Sequence, residues 1–368
     1  MDRRLFIAGS AATTLASGSL SAAAAEPAGK IFRSETWEIG EKGGFSTMRK
    51  VMRELPPPAS GNVIVKVDFS SIAGRDIAIA QGWFLEDKDP TLVPLSEGFG
   101  TVVAVAPDER RIKVGDKVTC AHFAMWEEGP WTPANYAVDI GNTVDGWLTQ
   151  YAVLPSSGIA ILPEAIDGAT AATMSGSGVT AWHALQEKAR VRSGETVLSL
   201  GTGGVSTWGV LLAKAAGARV VVTSSSDAKL ATMRELGADI TVNYRSDPDW
   251  GKTIHQLTGG VDVVLENVGR PTLDQSMLAC GNNARIVMIG TGPLPKQLPK
   301  MPGFYIKNLS MVAISNGSRL MLEDFANAIV ANNLKAAIAG TYDFADAPAA
   351  FEASTKHDRI GKILIRNS

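Results

Sequence analysis

Thr196-Val-Leu-Ser-Leu-Gly-Thr-Gly-Gly-Val-Ser206 joins a short apolar run to a glycine cluster, and the cluster opens onto a helical pattern. The helix carries Val205, Trp208 and Leu212 on one face and stops at Gly217, a residue that terminates helices readily. Strand, glycine turn and helix in this order converge free backbone N–H groups and the positive end of a helix dipole on one point, which is how a pyrophosphate is held. Gly201 permits the tight turn, and Gly203 and Gly204 let the backbone come close to the phosphates. Ser206 stands where the usual fingerprint has its third glycine. A bound dinucleotide is the expectation.

Further apolar runs follow at Arg219-Val-Val-Val-Thr223, Val263-Val-Leu265 (with Val261 just before) and Arg285-Ile-Val-Met-Ile289, separated by helical stretches. Uniformly apolar strands alternating with helices describe a parallel sheet covered on both faces. A second helix opens at Ser226, a good N-cap, and ends before Gly237, and a third lies near residues 319–333. The region before residue 160 has another texture. It is rich in Gly and Pro, and in Asn62 to Phe69 the residues Val63, Val65 and Val67 recur with the period of two that marks a strand. The fold class expected is therefore α/β, with a β-rich domain beside a doubly wound parallel-sheet domain. A chain of 368 residues has room for both cores.

The choice between nicotinamide cofactors is read at the end of the second strand, where an acidic residue would bind the ribose 2′-hydroxyl. Thr223-Ser-Ser-Ser226 stands there instead, with Lys229 one turn on and Tyr244 and Arg245 after the next strand. Hydroxyls with a nearby cation suit a 2′-phosphate, so the reading favours NADP(H) over NAD(H). Asp227 reads as a first-turn helix acid interacting with the dipole.

Pro94-Leu-Ser-Glu-Gly98, Lys113-Val-Gly-Asp-Lys-Val118, Val179-Thr-Ala-Trp182, Gly201 to Ser206, Lys214-Ala-Ala-Gly-Ala-Arg219, Leu236-Gly-Ala-Asp239 and Gly361-Lys-Ile-Leu364 occur in order along the chain. As a set they resemble the medium-chain dehydrogenase/reductase superfamily, in its zinc-independent, quinone-oxidoreductase-like branch. The resemblance implies a GroES-like catalytic domain over 26–160, a Rossmann domain over 161–315, a return to the catalytic domain over 316–368, and a homodimer formed through the Rossmann sheets. It also implies that Thr180, Gly203, Gly204, Val205, Ser225, Lys229, Tyr244, Asn267 and Gly290 line the cofactor.

Zinc-dependent members hold a catalytic metal with Cys, His and Cys. Here Ala73-Gly-Arg-Asp76 stands where the first ligand would fall and Leu95-Ser-Glu-Gly98 where Gly-His-Glu would supply the second. Cys120 and His122 are suitable ligand types, but a pair is not a site. No metal is expected. Negative charge developing on a substrate oxygen must then be met by hydrogen-bond donors, for which Arg75 and His122 are the candidates, with Tyr136 behind them. Many zinc-free relatives carry Asn-Tyr before the Arg-Asp pair, and Ala73-Gly74 replaces both. Trp126, Trp131 and Trp147 fall in a loop-rich stretch that could wall an apolar or aromatic substrate. The function expected is hydride transfer between NADP(H) and a quinone, enone or other carbonyl compound. Reversible alcohol oxidation, or NADPH binding with little turnover, are the alternatives.

A formal net charge of −2 gives no electrostatic reason to expect nucleic acid, and two cysteines, Cys120 and Cys280, are too few for a disulfide framework. Residues 1–25 read as a signal peptide: Arg3-Arg4 precede an uncharged Ala/Ser/Thr/Gly/Leu stretch that ends in Ala23-Ala-Ala25. The stretch is too short and too mildly apolar for a membrane anchor. Arg3-Arg-Leu-Phe-Ile7 resembles the twin-arginine export core, although Asp2 departs from the usual preceding Ser or Thr. Periplasmic export by that route is expected.

Overall fold

The computed structural model describes residues 30–41, 44–82, 89–293, 297–356 and 358–367. The signal peptide expected over residues 1–25 lies outside them. No helix among the described residues is long and apolar enough to cross a membrane.

Six parallel strands form one sheet in the spatial order 240–243, 219–224, 196–200, 261–266, 280–288, 310–313. Thr196–Leu200, the run that opens the sequence argument, lies in its middle and is buried along its length. Neighbours on either side of it are reached by crossovers in opposite directions, so the chain diverges at its C-terminal end and leaves a crevice there, the place where such sheets bind ligands. Helix Gly204–Ala215 buries Trp208 and Leu212 as the periodicity requires, and the chain leaves it through Gly217 at φ +78°. Helix Asp227–Glu235 is capped by the Ser226 side chain, and helix Arg319–Asn332 by that of Ser318. The latter buries Leu322, Phe325 and Ile329 in one core with Trp208, so the return to the β-rich domain begins after this helix and not at residue 316. The outermost strand, Ser310–Ala313, leaves Met311 and Val312 exposed.

The second body is a seven-stranded sheet whose spine is Asn62–Ile72, paired antiparallel with Glu97–Val105 on one edge and with Lys362–Arg366 on the other. The chain thus leaves the β-rich domain, builds the parallel sheet, and returns its last strand to the first. Val63, Val65 and Val67 are fully buried in this domain's core. The α/β architecture of a GroES-like domain with a Rossmann parallel sheet is the one expected from the sequence.

Candidate active site

The glycine turn is braced from three directions. Gly201 sits at φ +83°, the left-handed region a glycine adopts cheaply, and its N–H donates to Thr223 O at 2.9 Å. Ser206, in place of a third glycine, donates its hydroxyl to Leu200 O at 2.7 Å, and Asn267 Nδ2 donates to the same carbonyl at 3.1 Å and to Ser206 Oγ at 3.0 Å. Gly361 N–H donates to Thr202 O at 2.8 Å, so the C-terminal return is stitched to the turn. A Cβ on Gly203 would meet open space, whereas one on Gly204 would lie 2.4 Å from Lys362 Cδ. Gly203 therefore keeps the cleft open, and Gly204 serves packing.

Gly290 marks a close backbone approach, since a Cβ there would lie 2.1 Å from Asn267 O. Thr180 donates its hydroxyl to Gly176 O at 2.7 Å and accepts from Asn316 Nδ2 at 3.2 Å. Val205 packs half-buried against the core. The glycine turn with Val205, Asn267 and Gly290 follows the C-terminal edge of the parallel sheet, at the ends of strands Thr196–Leu200, Val261–Glu266 and Cys280–Met288, while Thr180 stands on helix Val179–Trp182.

At one end of that edge a cavity of about 340 Å³ is lined by Gly203, Ser225, Lys229, Tyr244, Arg245 and also by Lys356 and Arg359. The last two belong to the C-terminal return and were missed in the sequence reading, where they lie more than 100 residues from the second strand. Burial pulls the Lys229 ammonium below its ordinary value, Arg245 and Arg359 push it the same way, and Asp358 opposes them. Burial likewise lowers Arg359 against the attraction of Asp358. Four cations face one partly enclosed space. Asp227 is turned away, accepting from Asn243 Nδ2 at 2.9 Å.

Arg75 and His122 come together in the β-rich domain. The guanidinium forms a bidentate pair with Asp139 at 2.7 Å for both bonds and lies 5.9 Å from the Phe123 ring centroid. Burial works against its charge, but Asp139 more than offsets this, so Arg75 stays cationic. Asn142 Nδ2 reaches both Asp139 Oδ2 at 2.9 Å and Tyr136 Oη at 3.3 Å, which joins Tyr136 to the same network. His122 is buried with neither ring nitrogen hydrogen-bonded, and burial and then Arg75 hold it well below 6.5, so it is neutral. Trp126 and Trp131 meet edge to face at 5.2 Å. Trp147 is not with them: it is fully buried in the domain core against Gly98, where a Cβ would strike its ring.

The positions where relatives carry metal ligands are occupied otherwise. Ser96 donates its hydroxyl to Asp76 Oδ1 at 2.9 Å, and Asp76 also accepts from Ala73 N–H at 2.7 Å. Glu97 is wholly buried and paired with Lys362 at 2.7 Å, while also accepting from Ser71 Oγ at 2.8 Å and Ser177 N–H. Burial pushes the Cys120 thiol up to about 12. Among the described residues no group of three His, Cys, Asp or Glu is placed to hold a metal ion.

Residues 59–164 match the alcohol dehydrogenase GroES-like domain and residues 204–332 the zinc-binding dehydrogenase domain. A zinc-type alcohol dehydrogenase-like protein of Schizosaccharomyces pombe is 33% identical over 337 residues, covering 89% of this chain and 97% of its own. An acryloyl-coenzyme A reductase of Sulfurisphaera tokodaii is 25% identical, with 89% and 98% covered. The crystal structure of an NAD-dependent alcohol dehydrogenase superposes with a TM-score of 0.82 at 26% identity, over 90% of this chain and 99% of that one. With both domains matched in sequence and in fold, the chain belongs to the alcohol dehydrogenase-like oxidoreductases of the medium-chain dehydrogenase/reductase superfamily.

Proposed function

We propose that this oxidoreductase uses NADP(H) and moves hydride, without zinc, between the nicotinamide and a quinone, enone or other carbonyl substrate. The observation that carries the cofactor choice is the set of Lys229, Arg245, Lys356 and Arg359 around the ribose end of the cleft, where an NAD-binding site would offer a carboxylate. A relative described as NAD-dependent makes this the property to measure first. The acryloyl-coenzyme A reductase supports the enone class, because acryloyl compounds carry a double bond conjugated to a carbonyl.

NADPH, when bound, supplies a hydride from its nicotinamide ring. What remains for the chain is to hold the acceptor and to meet the negative charge left on its oxygen. Arg75 is suited to that: Asp139 fixes its plane and charge, yet one-fifth (20%) of the side chain remains exposed. His122, neutral and with both ring nitrogens sealed from solvent, adds no second cation to repel Arg75. A panel of quinones, enones and aldehydes tests the proposal. Steady NADPH consumption with at least one class is expected, and tight NADPH binding with no turnover of any would replace it with a cofactor-binding protein.

The donor set does not fit the zinc that the family description implies. Ala73 and Gly74 carry no ligand atom, Ser96 is committed to Asp76, and a thiol held near 12 is far from the thiolate that zinc requires. The purified protein is expected to contain no stoichiometric zinc and to keep its activity in chelator. Zinc at stoichiometric level in elemental analysis would overturn this.

Export belongs to the same proposal. NADP is made in the cytoplasm, and a chain threaded unfolded through the general secretory pore would reach the periplasm without it. The twin-arginine route moves folded protein, so the cofactor travels inside, held because it binds only the folded state. Replacing Arg3 and Arg4 together by Lys should strand the precursor in the cytoplasmic fraction; a double variant exported at the normal rate would show that the general route carries it.

A further inference from the structure

A cavity of about 290 Å³ lies beyond the other end of the cofactor edge. Its walls are Trp126 and Trp131 from the β-rich domain, Ile314 and Met321 from the parallel-sheet domain, and His183 with Lys188 at its floor and rim. Two features make it a built site. The Trp126 loop is fixed to the opposite domain, with Arg319 N–H donating to Trp126 O and Leu320 N–H to Glu127 O, both at 2.9 Å, and an ion pair between Arg319 and Glu127 at 3.0 Å. The loop also carries an aromatic chain inward: Trp126 meets Trp131 at 5.2 Å, Trp131 meets Phe123 at 4.6 Å, and Phe123 meets His122 at 4.2 Å. The aromatic wall of the slot thus packs, through Phe123, against His122.

His183 gives the slot its chemistry. Its Nδ1 is hydrogen-bonded to the backbone carbonyl of Asn316, and a carbonyl can only accept, so Nδ1 carries the proton. Burial and the neighbouring Lys188 lower the ring's proton affinity, the Asn316 bond opposing them, so the imidazole is neutral. Nε2 is then a bare acceptor. It is 97% buried as a side chain goes, for the residue keeps only 3% of its surface, yet Nε2 is not among the polar atoms sealed without a partner, as both nitrogens of His122 are. It therefore meets the cavity. Asn316 in turn donates Nδ2 to Thr180 Oγ1 at 3.2 Å, which connects His183 to a residue that the family resemblance places on the cofactor. The Trp126 and His183 rings are in edge-to-face contact, with centroids 5.8 Å apart and planes inclined at 67°, so the acceptor and the indole stand side by side on the cavity wall.

We propose that this slot binds the aromatic ring of a hydroxyaryl compound, its phenolic O–H donating to His183 Nε2 and its ring lying against Trp126 and Trp131. The assignment rests on the hydride-transfer reading above and narrows its substrates to carbonyl compounds that carry a phenol, or to hydroquinones on the reduced side. An apolar slot rejects a missing hydroxyl weakly, but a buried acceptor left unpaired discriminates more strongly.

Binding is measured without turnover, by calorimetry of the mature protein saturated with NADP, using 4-ethylphenol and its O-methyl ether, 4-ethylanisole. The phenol is expected to bind at least about tenfold more tightly, a net hydrogen bond's worth. His183→Phe should abolish that preference while keeping the affinity for the ether, and Trp131→Ala, at a half-exposed position, should weaken both probes. Equal binding of phenol and ether by the unaltered protein would overturn the proposal, as would a phenol preference that survives His183→Phe. If His183→Phe does not fold, His183→Gln serves, with the preference expected to fall. Probe binding needs no hydride transfer, so a protein that binds the phenol yet consumes no NADPH fails the functional reading alone, and one that turns over quinones without the phenol preference fails this one alone.

Discussion

Lys362→Met is expected to destabilise the protein by about 3–5 kcal/mol, the loss seen when one partner of a buried ion pair is removed and the other charge stays behind. Lys362 is 3% exposed and Glu97 is 0% exposed, and their charged atoms are 2.7 Å apart. Methionine keeps most of the volume of the lysine stem, so packing over Gly204 survives and the loss reports the charge. The Glu97 carboxylate would retain Ser71 Oγ and Ser177 N–H as donors, but no cation. Glu97→Gln combined with Lys362→Met should lose much less than the sum of the two single variants, because the double change leaves no orphaned charge. Denaturant unfolding of the four proteins makes the comparison. A loss below about 1 kcal/mol for Lys362→Met would mean that water reaches Glu97 and that the pair is not sealed.

That pair also explains how the two domains are joined at the site. Lys362 Nζ donates to Ile72 O at 2.6 Å, at the end of the spine strand of the β-rich sheet, while its Cδ lies against the first residue of the glycine-loop helix. One side chain therefore ties the catalytic domain to the cofactor turn, and the Gly361 bond to Thr202 O repeats the tie in the backbone.

Local chemistry was legible in the sequence, and convergence of distant segments was not. The central strand, its glycine turn and the helix after it are specified by apolar run, backbone freedom and helical period, all of which act within about 20 residues. The cap at Ser226 and the helix at Arg319–Asn332 were readable for the same reason. Arg75 and His122 were found by their chemistry, but nothing in their spacing announced Asp139, which decides the plane and charge of Arg75. Trp147 looked equivalent to Trp126 and Trp131 in a loop-rich stretch, yet Gly98 across the sheet leaves room for an indole and Trp147 fills the core. His183 follows the Val179-Thr-Ala-Trp182 motif and drew no attention there, because its role depends on a tautomer set by a carbonyl more than 130 residues away. Lys356 and Arg359 could have been noticed only as cations just ahead of Gly361-Lys362, once the return of the last strand to the first domain was taken as bringing them past the cofactor turn.

Arg359→Ala is expected to weaken NADPH binding by about 10- to 100-fold and to leave NADH binding within about twofold. A charge-assisted hydrogen bond is worth about 1.5–3 kcal/mol, and only the 2′-phosphate needs one at this end of the cleft. Lys229→Ala should behave alike, and the two changes together should cost more than either. The cavity gives the sign of a second effect. Burial, and then the neighbouring Arg245 and Arg359 charges against the opposing Asp358, hold the Lys229 ammonium below its ordinary value, so the cations at this end of the cleft repel one another in a partly buried space. Removing the Arg359 charge relieves that repulsion, and the hydrogen bond that the Thr202 hydroxyl donates to the Arg359 backbone carbonyl at 3.2 Å remains, since it does not involve the Arg359 side chain. The cofactor-free variant should therefore melt no lower than the unaltered protein, while the rise in melting temperature on adding NADP shrinks toward that given by NAD. Titration and thermal unfolding with both cofactors read the two effects separately. Equal weakening of NADPH and NADH would make Arg359 a structural residue of the turn, and a lower melting temperature without cofactor would mean that Asp358 already neutralises it.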